Sequence, residues 1–172
     1  MQFKKIISLC KKAKKIIMVD SAAGQWIGDG QAYFCLAGFP EMSPEEIVKI
    51  FDIQKEEQSK FAILDRDDNT ARLNFQDNGV AEYDVTVSQH PFVCANGEYI
   101  PAMIDGRMYL IDAKYTAVLS GCTLFARRSP DGGIYIAARH GIFLEALIFP
   151  SADPSFAFEK WIDAMHAAIH GK

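Results

Sequence analysis

Six lysines open this chain. Lys4, Lys5, Lys11, Lys12, Lys14 and Lys15 all fall within the first fifteen residues, with no acid among them. Ammonium groups massed on so short a segment raise a local positive potential. The chemistry that suits them is neutralisation of phosphate, above all a nucleic-acid backbone, not the making of bonds. The competing explanation is a solvated face on a helix whose other side packs. The rest of the chain carries twelve basic and twenty-two acidic side chains. A basic element is therefore attached to an acidic body, and any contact with nucleic acid should be local and salt-sensitive.

Other constellations are weaker. Glu159, Asp163, His166 and His170 follow one another at spacings of four, three and four. Carboxylates and imidazoles on one helical stripe can hold a divalent metal. The same stripe also reads as the wet face opposite an apolar one, with both histidines at the negative end of the helix dipole. Asp65 to Asn69 opens like a calcium loop, but Thr70 stands where glycine is needed and Gln76 where a bidentate glutamate is needed. Gly28-Asp29-Gly30 lacks the third glycine of a dinucleotide fingerprint and reads as a hairpin turn. Cys122 offers a thiol and His90 or His140 a base, yet no spacing links them. Trp26, just before a turn, suits core or hairpin packing better than a ligand platform. None of this amounts to a catalytic signature. The expectation is a protein without cofactor or metal that is not an enzyme.

These residues sit in a chain of 172 with 49% apolar and 23% charged side chains, enough for one compact domain. No apolar run reaches the ~18 residues a membrane span requires. The lysines interrupt any export-signal core, so the expected setting is cytoplasmic, with Cys10, Cys35, Cys94 and Cys122 as reduced thiols. Cys10 falls on the apolar face of a helix and Cys35 and Cys122 in apolar strand-like runs, and all three are expected to be buried.

Phe3, Ile6, Ile7, Cys10 and Ala13 recur at helical spacing, which predicts an amphipathic helix over residues 2–14 with lysine on its outer face. A strand over 16–19 and a hairpin of 25–27 with 31–37 follow. Ser43-Pro44-Glu45-Glu46 is a helix start with a capping box, and 54–60 either continues that helix or forms a loop. Strands are expected over 61–64, 70–75 and 80–87, the last two joined by a turn at Asp77-Asn78-Gly79. Weaker strands fall at 92–94 and 99–104, then one at 108–111. Asp112 caps a helix over 113–120. A meander of 122–127, 134–139 and 142–149 comes next. Asp153 and Pro154 then start a final helix, on which Phe158, Trp161, Ile162, Met165 and Ile169 form an apolar stripe. The fold expected is α+β, mainly antiparallel sheet with about four helices. A helix followed by strands occurs near the start and again from Asp112, an echo of two helix-plus-strands repeats.

The run from Met108 to Leu119, with the strands and the Ser129-Pro130-Asp131-Gly132 turn that follow, resembles the closing part of a DNA sliding clamp domain. About forty residues carry the likeness. It implies a domain of two helix-plus-strands repeats, with basic helices facing DNA and an acidic exterior. The second candidate helix departs from that pattern, since it carries only Lys114 and begins with Asp112. The helix from Ser43 and the final helix have no place in the minimal domain. A ring of single domains would take about six copies, a homo-oligomer, and a solitary relative would be a phage-type or accessory protein. The leading expectation is thus a binding or assembly module, clamp-like, contacting nucleic acid through the six lysines. A protein-interaction scaffold is the second, and a small hydrolase or metal-dependent enzyme using His166 and His170 or a cysteine the third.

Overall fold

The computed structural model describes residues 3–94 and 97–151. Helix α1 (Phe3–Ala13) buries Ile6, Leu9 and Cys10, the stripe its spacing demands. Ala13 is exposed. Lys14 then takes a left-handed backbone (φ 52°) that ends the helix. The chain enters strand β1 (Lys15–Ser21), which pairs antiparallel with β2 (Gly24–Gly28), and β2 pairs with β3 (Ala32–Cys35). The expected β2–β3 hairpin is present. The Asp29 carboxylate accepts from the Gln31 and Ala32 backbone N–H groups at 3.0 Å each and so shapes its turn. Gly28 is required there, because a Cβ would lie 2.2 Å from the Ala32 carbonyl oxygen.

Helix α2 (Pro44–Ile50) carries the expected capping box of Ser43 and Glu46. One helical turn, α3 (Lys55–Gln58), leads to β4 (Ala62–Leu64), which lies parallel to β1. The next stretch corrects the sequence reading. Residues 70–75 form no strand: Thr70–Arg72 is a 3-10 turn. No hairpin forms at Asp77-Asn78-Gly79 either. Leu73 and Phe75 do alternate and are buried, but side chains claim the backbone instead of a ladder. Asp67 accepts from Thr70 N, and Asn74 Oδ1 accepts from the N–H groups of Gln76 and Asp77. The strand expected over 80–87 is reduced to β5 (Tyr83–Asp84) and β6 (Thr86–Val87), which join different sheets.

Then come β7 (Phe92–Cys94), β8 (Gly97–Ile104), β9 (Arg107–Asp112), α4 (Ala113–Thr116), β10 (Thr123–Arg128), β11 (Ile134–His140) and β12 (Phe143–Ile148). The Asp112 cap is present, but the helix it starts is one turn long, shorter than expected. The final helix expected from Asp153 lies outside the described residues, as do Glu159, Asp163, His166 and His170. Four helices, twelve strands and mostly antiparallel pairing make this an α+β fold among the described residues.

The larger sheet has the order β4-β1-β2-β3-β12-β11-β10-β5. Its middle is mirrored. The β1-β2-β3 meander, entered from α1, meets the β12-β11-β10 meander, entered from α4, through antiparallel β3–β12 pairing. Both helices lie on one face, where Ile6, Leu9, Cys10 and Tyr115 pack with Ile16, Met18, Ile27, Phe34, Ile136 and Ile148. On the opposite face Ile17, Val19, Trp26, Tyr33, Tyr135 and Leu147 pack under Leu73 and Phe75. Strands buried on both faces read as unbroken apolar runs, as at Ile16 to Val19. A smaller sheet of β6, β7, β8 and β9 closes the helical side through Ala102, Ile104 and Ile111.

Tyr115 ties the two meanders together. Its hydroxyl donates to Asp29 Oδ2 at 2.8 Å in a buried setting. Burial first, then the adjacent Asp29 charge and hydrogen bond, push its phenol well above the ordinary tyrosine range. Tyr115→Phe should therefore lose a charge-assisted hydrogen bond and cost about 1.5–3 kcal/mol. Urea denaturation at neutral pH reads this as a lower midpoint with an unchanged slope.

Candidate functional site

The six lysines divide into two groups. Three are tethers. Lys5 Nζ donates to the Ala117 carbonyl at 3.2 Å, which joins α1 to the end of α4. Lys11 Nζ donates to Phe51 O at 2.9 Å, at the C-terminal end of α2. A cation is favoured there because the last helix carbonyls lack intrahelical partners. Lys15 Nζ lies 2.8 Å from Asp67 Oδ2. The other three, Lys4, Lys12 and Lys14, are exposed and have no hydrogen bond or ion pair among the described residues. Lys4 and Lys12 flank exposed Ser8 on α1, about 12 Å apart along the axis. The Lys5 tether brings α1 beside the end of α4, whose Lys114 pairs with its neighbour Asp112 at 2.8 Å. The resulting positive surface is narrower than the lysine count suggests.

The sheet's other face holds polar chemistry that sequence reasoning missed. Asp67 is a hub: Oδ2 takes Lys15, and Oδ1 takes the Tyr33 hydroxyl at 2.7 Å and the Thr70 N–H at 3.1 Å. Burial pushes its carboxyl up, but the bonds from Lys15 and Tyr33 outweigh that and hold it below the ordinary aspartate value. The stretch read as a failed calcium loop is thus a latch between β1, β3 and the crossing segment. Farther along the same face, Arg127 and Arg139 meet Asp77 and Glu82. Arg127 Nε lies 2.9 Å from Glu82 Oε1, and its Nη2 also contacts Asp77. Arg139 Nη2 reaches Asp77 at 2.6 Å and its Nε reaches Glu82 at 2.9 Å. Arg127 is only 1% exposed. The available signal was an arginine at an inward position of an apolar strand, since Arg127 sits opposite buried Tyr135.

Beside these clusters runs an open groove of about 800 Å³ lined by Arg66, Arg72, Tyr83, Arg128 and Tyr135. Arg72 is engaged by Asp131 at 2.9 Å and Arg128 by Asp105 at 2.7 Å. Among the described residues neither a cysteine nor a histidine lines it. Among the described side chains, burial pushes the thiols of Cys10, Cys35 and Cys122 above the ordinary thiol range, the reverse of what a nucleophile needs. Cys10 and Cys35 are buried as expected. Cys122, expected to be buried, is only half-buried, just ahead of β10 and packed on the edge of the core. It makes no hydrogen bond to His90 or His140, both of which are exposed. Among the described residues no three His, Cys, Asp or Glu side chains converge as a metal site, and no helix is long and apolar enough to cross a membrane. Trp26 is a core residue, its indole N–H donating to Ser21 Oγ at 3.2 Å and its ring edge-on to Phe75.

No family model and no solved structure matches the chain. A stretch of 52 residues is 50% identical to 3-dehydroquinate synthases of Neisseria meningitidis serogroup C (strain 053442) and serogroup A / serotype 4A. Over 52 residues the chain is 48% identical to the synthase of serogroup B (strain ATCC BAA-335 / MC58). The match covers 28% of this chain and 14% of the length of those enzymes, so the chain is similar to them over a short segment only.

Proposed function

We propose that this protein is a non-enzymatic binding or assembly module that contacts nucleic-acid phosphates through α1. Lys4, Lys12 and the adjoining Lys14 are the contacts, Lys5 and Lys11 hold the helix in place, and Lys15 ties the strand that follows it to Asp67. The observation that carries this reading is the division of the lysines: three ammonium groups stand exposed without an acidic partner among the described residues, two on α1 and one just past its end, and α1 itself is anchored by Lys5 and Lys11. Their role is phosphate neutralisation, not base readout. The mirrored meanders, each entered from a helix on the same face of the sheet, support a clamp-like arrangement and, with it, self-association. A cytoplasmic setting goes with this reading, Cys10, Cys35 and Cys122 being free thiols.

The test is binding to duplex DNA as a function of salt. Charge reversal at Lys4, Lys12 and Lys14 together should abolish retention at moderate salt. Single neutralisations should each lower the slope of log K against log salt by about 0.9. Unchanged binding in the triple variant, or no binding by the parent, removes the reading.

A second reading is a protein-interaction scaffold. Its support is the tip of the β11–β12 hairpin, where Ile142 is 81% and Phe143 68% exposed. Large apolar side chains side by side in water mark a contact surface. A partner whose capture is lost in Ile142→Ser and kept in the lysine variants would favour it.

A further inference from the structure

The open groove on the face opposite α1 follows the crossing segment, from Asp20 and Ser21 on β1 to Arg128 and Ser129 at the end of β10. Four strands, β2, β3, β12 and β11, separate those two walls. The groove is therefore elongated, on the order of 20 Å across the sheet. Three of the six arginines of the chain line it, and none of the twelve lysines. Arginine offers a planar fork that grips phosphate and a flat face that stacks, where lysine offers a point charge.

Arg72 is held from three sides. Its Nε lies 2.9 Å from Asp131 Oδ2. Its guanidinium lies over the Phe149 ring, 5.4 Å from the centroid. Gly133 gives it room, because a Cβ there would stand 2.7 Å from Arg72 Nη2. Neither Nη has an acceptor among the described residues, so a fixed fork is presented to the groove unused. Arg66 is exposed and has no hydrogen bond or ion pair among the described residues. Arg128 serves differently. It stacks on Tyr83 at 5.5 Å from the ring centroid and is steadied by Asp105. A nucleobase stacks well on such a planar cation. On the crossing segment the exposed amides of Gln76 and Asn78 have no side-chain partner among the described residues, and amides read base edges. The acids present leave the arginines available. Asp67 is taken by Lys15 and Tyr33, and Asp20 accepts from Gln25 at the β1 end. Asp131 and Asp105 are exposed partners, which bind weakly enough to yield to phosphate.

We propose that this groove binds a single strand of nucleic acid, with phosphates on Arg66 and Arg72 and an unpaired base on the Arg128–Tyr83 stack. The site lies across the sheet from α1, so it adds to the lysine surface and does not rest on it.

Fluorescence anisotropy with labelled oligothymidylate and oligouridylate of about eight nucleotides tests this, and the two probes separate DNA from RNA. At least one strand should bind, and should still bind after charge reversal at Lys4, Lys12 and Lys14. Arg66→Gln and Arg72→Gln should each lower the slope of log K against log salt by about 0.7, the value for one single-strand phosphate. Arg128→Ala should weaken binding about tenfold through the lost stack. Gln76→Glu and Asn78→Glu change exposed residues, so they spare the fold, and each should also weaken binding about tenfold. Duplex retention through α1 should be the same in all five groove variants. No strand binding by the parent overturns the proposal, and so does binding that survives all five substitutions. Strand binding lost in the lysine variant but kept in the groove variants overturns it and returns the strand to α1. Tighter binding of polyglutamate than of either oligonucleotide, lost in Arg72→Gln, overturns it and assigns the groove to an acidic peptide.

Discussion

Replacing Arg127 with methionine should destabilise the protein by about 3–5 kcal/mol, the range for breaking a buried charge cluster by removing one partner. Two guanidinium groups here face two carboxylates, and Arg127 is the most buried of the four. Desolvation opposes its charge, but the hydrogen bonds it donates to Asp77 and Glu82, with their charges, outweigh that and keep it ionised. Methionine preserves much of the packing volume but leaves Arg139 alone to balance both acids. The loss is local in origin and broad in effect. Asp77 and Glu82 pin the crossing segment to β10 and β11, and that segment brings Phe75 onto Trp26 and Tyr33. Urea denaturation gives the size of the effect. A double-mutant cycle with Glu82→Gln gives the cause: in the Arg127→Met background, Glu82→Gln should cost about 1–3 kcal/mol less than in the parent. A loss under 1 kcal/mol for Arg127→Met would show that the carboxylates are hydrated and the cluster is ornamental.

Asp67→Ala should cost about 2–4 kcal/mol, since it strands the buried Tyr33 hydroxyl and unpairs Lys15 at once. The effect has a pH signature. The carboxyl of Asp67 is held below its ordinary value in the folded chain. The folded state therefore binds that proton less readily than the unfolded state does. Its contribution is fully present above the unfolded aspartate value of about 3.9 and is lost as pH falls through the lower folded value. Chemical denaturation between pH 7 and pH 2.5 should show parent and variant far apart near neutrality and converging in acid. Curves that stay parallel to the lowest pH would show that the hydrogen bonds do not depend on the charge of Asp67.

These two sites show where the sequence was readable. The α1 stripe, the Ser43 capping box, the Asp29 turn and the closing meander all rest on interactions within a few residues, so their spacing announces them. The stretch from Asp65 to Val87 does not. Leu73 and Phe75 alternate as in a strand, but what buries them is the sheet beneath, and what turns their backbone is Asn74 and Asp67. Period-two burial is common to a strand and to a loop pressed on a sheet. Only the partner distinguishes them, and the partner lies some forty to sixty residues away in sequence.

The lysines teach the same lesson from the other side. Their number, their place on one helix and the contrast with an acidic remainder are properties of the sequence alone, because charge and helical phase need no tertiary contact. Composition and periodicity likewise determined the α+β class. Which ammonium groups are free was decided by the fold. Lys11 is taken by the end of α2, Lys5 by the end of α4 and Lys15 by Asp67. Each of those partners is an oxygen carried there by packing, and two of the three are backbone carbonyls that no side-chain pattern reveals.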